Sequence, residues 1–162
     1  MTPDQQISSI ILPSRITLQS TLPTRTMELF SKIITEEHKA EIVTWIDKKT
    51  NVYDTINIPY DFKLLLRGSR DSFTKDSFWN LYDNKANLVI VMKVKGTDEI
   101  LGGYNPLSWN KSPVSYKRCD ESFIFSLKHG NIQSSILSKV QIPQYAIYSY
   151  SGYGVDFGGC DL

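Results

Sequence analysis

Residues 87–104 constrain the fold more than any other stretch: Asn-Leu-Val-Ile-Val-Met-Lys-Val-Lys-Gly-Thr-Asp-Glu-Ile-Leu-Gly-Gly-Tyr. Leu88, Ile90, Met92 and Val94 fall on one side of an extended chain. Val89 and Val91 fall on the other, where Lys93 and Lys95 follow. Successive side chains of a strand point to opposite faces, so this is a strand buried on both faces at its start and on one at its end. Gly96-Thr97-Asp98 supplies turn chemistry, and residues 99–104 return antiparallel as a hairpin. Gly102-Gly103 in the second arm predicts a bulge or the close approach of another backbone.

A chain of 162 residues is one domain by size and long enough to bury a real core. With 41% hydrophobic and 22% charged residues, it is expected to be soluble and globular. Its 18 basic and 17 acidic residues leave a net charge of +1, too weak a field to recruit nucleic acid or an anionic membrane. No apolar run reaches the length of a transmembrane helix, and the first residues lack the pattern of a secretory signal. Cys119 and Cys160 form no Cys-x-x-Cys pair, so free thiols in a reducing, cytoplasmic compartment are expected.

Residues 1–30, punctuated by Pro3, Pro13 and Pro23, read as a linker or N-terminal arm with a short extended piece at 7–12. Residues 31–34 predict a short strand. Thr35 is a good N-cap, Glu36 and Glu37 suit the positive end of a helix dipole, and Ile42, Val43, Trp45 and Ile46 form its apolar face. Residues 62–67 alternate as a strand, and residues 68–71 break it. Thr74 caps a second helix running to about Tyr82, with Phe73 and Phe78 placed as a hydrophobic staple. Residues 105–120 form a long loop. Residues 122–128 give a strand with Phe123, Phe125 and Leu127 inward, and His129-Gly130-Asn131 turns it. Residues 132–140 and 145–150 read as further short strands, and 151–161 are glycine-rich. The fold class is α+β: an antiparallel β-sandwich flanked by two short helices.

Residues 67–71 carry the most suggestive chemistry, because Arg67 and Arg70 could together grip a carboxylate or phosphate. The plainer reading has Gly68 ending a strand while the charged groups, Asp71 included, brace the next helix. Trp109 on the long loop is either an interface anchor or a lid folded over the sheet edge. Asp120 and Glu121 beside Cys119 disfavour the thiolate that redox chemistry needs, which leaves an ordinary loop cysteine. His38 in a first turn and His129 in a turn read as solvated. Neither has companions at ligand spacing, so no metal and no cofactor are expected. An enzyme would have to draw on Ser69, Arg70, Asp71 and Glu121, and a converging acidic pair in a pocket would favour it.

Three ordered stretches carry a family resemblance: Phe62-Lys-Leu-Leu-Leu-Arg-Gly-Ser-Arg-Asp-Ser-Phe, Lys93-Val-Lys-Gly-Thr-Asp-Glu-Ile-Leu-Gly-Gly-Tyr and Glu121-Ser-Phe-Ile-Phe-Ser-Leu. Together they resemble the TLDc domain, most of all its fungal versions, which are often attached to BTB and kelch modules. The resemblance covers residues 31–162. It implies a β-sandwich with short helices, a role in resistance to oxidative stress, and no reaction or active site to carry over. It also implies a protein partner among the subunits of the vacuolar-type proton-pumping ATPase; the residues that could meet such a partner, named on their own chemistry and not carried over from the family, are Arg67, Arg70, Asp71 and Trp109. The family's glycine-rich segment leads into at least one more strand, so the domain is expected to be incomplete after Leu162.

Overall fold

Thr35 opens the first helix through a reciprocal cap. Its hydroxyl accepts from the His38 N–H at 3.4 Å, and the Thr35 N–H donates to His38 Nδ1 at 3.2 Å. A histidine thereby fills the role usually taken by Glu or Gln. Helix α1 (Glu36–Ile46) follows, with Ile42 and Val43 fully buried. This computed structural model describes residues 30–130 and 134–158, so the expected arm lies, except for Phe30, outside the described residues.

One turn of helix, α2 (Gly68–Asp71), and a second long helix, α3 (Lys75–Tyr82), precede the sheet strands. Strands β1 (Leu88–Lys93), β2 (Ile100–Asn105), β4 (Phe123–Leu127) and β5 (Ile136–Lys139) form a four-stranded antiparallel sheet in the order β1-β2-β4-β5. Strands β3 (Ser115–Lys117) and β6 (Ile147–Ser149) pair antiparallel as a second sheet. The fold is therefore α+β, with antiparallel sheets of four and two strands and helices packed against them.

Register divides the large sheet into two faces. Leu88 stands opposite Asn105 and Ile90 opposite Gly103, while Val89, Tyr104 and Phe123 share the other side. That other side packs on α1: Trp45 meets the Phe125 ring at 5.6 Å and the Phe123 ring edge-on at 6.2 Å. Leu88 and Ile90 instead join Phe78, Trp79 and Tyr82 of α3 and Ile147 of β6. The sheet is thus a middle layer, and this double cover is why its first strand is apolar on both faces.

Gly102 and Gly103 make no bulge, since register runs unbroken past both. A Cβ on Gly103 would lie 2.4 Å from the Phe157 ring, and one on Gly102 equally close to the Ile90 carbonyl oxygen and the Phe125 ring. The pair admits an aromatic ring on each face of one strand.

Several expectations are corrected. Residues 31–34 form no strand, because Ser31 Oγ accepts from the Ile33 and Ile34 N–H groups at 3.0 and 3.2 Å and bends the chain. Residues 62–67 form no strand and enter no ladder among the described residues. Phe62 packs on the α1 side and the consecutive Leu65 and Leu66 both pack on the α3 side, so the alternation in the sequence specified neither a pleated strand nor a ladder partner. Residues 68–71 are a helical turn and not a simple break. Phe73 is 89% exposed and staples nothing. The loop at 105–120 contains β3.

Candidate protein-docking site

Among the described residues β1 is an outer strand of the large sheet, paired only with β2. Residues 62–67 form no ladder with it. Between them lies a groove of about 1000 Å³. Val89 and Val91 line it from the strand, and Phe62, Leu64 and Leu66 from the facing segment. Lys63, Lys85 and Lys93 also line it, with Arg67 and Ser69 at one end and Asp61 as its acidic group.

The turn at 67–71 is wired by Asp71. Arg70 Nε donates to its Oδ1 at 2.7 Å, and the Arg67 backbone N–H donates to Oδ2 at 2.8 Å. The Arg70 guanidinium, and after it the Arg67 amide, hold the Asp71 carboxyl down to about 2. Bracing is thus what this charged cluster does in the free protein, while Arg67 and Ser69 still reach the groove.

Trp109 is fully buried. Its indole N–H donates to the Asp156 carbonyl at 3.0 Å, and its ring meets Phe157 edge-on at 5.3 Å. Its loop is tied down by the Asn84 N–H donating to the Trp109 carbonyl at 3.0 Å and the Lys111 N–H donating to Asp83 Oδ1 at 2.8 Å.

Glu121 pairs with Lys48 at 2.8 Å, and that contact lowers the Glu121 carboxyl and raises the Lys48 amine. Asp71 and Glu121 thus answer to different partners, and both are shifted towards the charged form, the opposite of a general acid. His38 is buried, not solvated: beyond its cap, Nε2 lies 2.7 Å from the Lys128 carbonyl oxygen. His129 stands beside it at 6.0 Å between ring centroids. No cluster of His, Cys, Asp or Glu among the described residues is arranged to hold a metal ion. Cys119 is free and buried, its N–H donating to the Pro143 carbonyl at 3.0 Å, and Cys160 lies outside the described residues.

The groove is what sequence reasoning missed. Its signals were the strand-like 62–67 and the hairpin, but nothing in either says that they remain apart.

No helix among the described residues is long and apolar enough to cross a membrane. No curated protein and no solved structure matches the chain. The sequence profile of the TLDc domain, a type of protein-interaction module generally linked to oxidation resistance, matches residues 27–162. With that match covering most of its length, the chain belongs to the TLDc domain family.

Proposed function

We propose that this chain is a non-enzymatic docking domain that acts in resistance to oxidative stress by binding the vacuolar-type proton-pumping ATPase on its cytoplasmic side. The family membership of residues 27–162 carries the reading. The open apolar groove with a basic rim supports it, because an interaction module needs a surface able to bury apolar area on a partner. Arg67, Arg70 and Asp71 sit on one charged turn, of which Arg67 reaches into the groove, and they are the contacts we assign to the partner. Trp109 supports that face from within the core.

A pull-down of solubilised vacuolar-type pump with this chain tests the reading. Pump subunits should be retained by the parent chain and lost with Arg67→Glu. A folded chain that retains none of them overturns the pump assignment.

A further inference from the structure

We propose that the β1 edge is a strand-addition site for an extended, acidic and aliphatic segment of a partner protein. The inference rests on the docking function proposed above and names the chemistry of the partner. Three observations converge on it.

The first is the edge itself. β1 has six residues and, among the described residues, pairs with β2 alone, so its outer backbone groups have no ladder partner there. Val94 donates to the Glu99 carbonyl at 3.0 Å at the head of the hairpin. Antiparallel bonding alternates, so Val89, Val91 and Lys93 turn their N–H and C=O groups away from β2 and towards the groove. The second is the space. The groove separates this edge from residues 62–67, which belong to no ladder among the described residues, so an inserted strand has room beside β1. The third is charge. Lys63, Lys85, Lys93 and Arg67 against Asp61 leave the lining net basic, and Lys63 and Lys85 form no ion pair among the described residues. Backbone bonding gives affinity without sequence, while alternate side chains give choice. Apolar residues would face the valines and leucines, and carboxylates would meet the lysines at the rim.

The test uses the whole chain and fluorescein-labelled ten-residue peptides: Val alternating with Glu, Val alternating with Lys, and the acidic peptide with two central prolines. Anisotropy titrations should show the acidic peptide binding at least tenfold tighter than the basic one, with affinity falling as salt rises. Amide exchange at Val89 and Val91 should slow on binding, and the proline peptide should not bind. Lys63→Glu with Lys85→Glu, an exposed pair whose exchange leaves the core untouched, should reverse the preference. Equal binding of acidic and basic peptides, or binding without slower exchange in β1, overturns the proposal. So does slow exchange at Val89 and Val91 in the free protein: if it depends on protein concentration, a second copy holds the edge, and if not, the chain's own residues do. Retention of the pump despite failure of the acidic peptide would sink the strand site alone, whereas loss of pump binding with peptide binding intact would sink the pump assignment alone.

Discussion

His38 closes two ends of the chain at once. Nδ1 accepts the Thr35 N–H while Nε2 donates to the Lys128 carbonyl, 90 residues further on. A buried ring in the neutral tautomer satisfies both, which joins the start of α1 to the end of β4. His38→Ala removes both of these hydrogen bonds along with a buried ring, and should lower stability by about 1–3 kcal/mol, read as a fall in the urea midpoint. His38→Gln, which reaches the cap but not the distant carbonyl, should recover part of it. Asp71 makes a prediction in pH. Its folded value of about 2 lies below the ordinary 3.8, so its contribution is complete above about pH 4 and is lost as pH falls through 2. The Arg67 amide resonance should report that titration. In Asp71→Asn, stability between pH 4 and 2 should lose the part of its acid dependence that the parent owes to this group. A bracing role for Asp71 was legible in the sequence, because its partners Arg67 and Arg70 are close neighbours, whereas the His38 bond to Lys128 depends on a partner that only the folded chain supplies.

At the scale of elements, legibility followed locality. The α1 cap, the α3 cap at Thr74, the hairpin and the inward Phe123, Phe125 and Leu127 are all where short-range pattern puts them. These features are decided within a few residues. Residues 31–34 and 62–67 look equally strand-like, but pairing is a long-range fact, and Ser31 had a local alternative. The same divide holds at the candidate site: the residue types at 67–71 were visible, the groove beside them was not. Two substitutions probe the packing between elements. Trp109→Ala removes a fully buried ring and should cost about 3–5 kcal/mol. Gly103→Val drives a side chain into the space of the Phe157 ring. It should release residues 150–158 from the sheet, seen as faster amide exchange there, while β1 and β2 keep their protection.

In the whole molecule, the large sheet lies between α1 on one face and α3 with the small sheet on the other. The two covers do not arise alike. β1 with β2, β2 with β4 and β4 with β5 are each neighbours or near neighbours along the chain. β3 lies in the connection between β2 and β4, but its partner β6 comes after β5. That interleaving has a consequence in time. Loop closure is costlier for distant pairings, so the large sheet should zip from its hairpin outward while β3 waits, tethered and unpaired, for the strand that completes it. Pulsed amide exchange during refolding should find β1, β2 and β4 shielded first and β3 and β6 last, together. A nascent chain would then carry its middle layer, one cover already docked, for as long as the other is still being made.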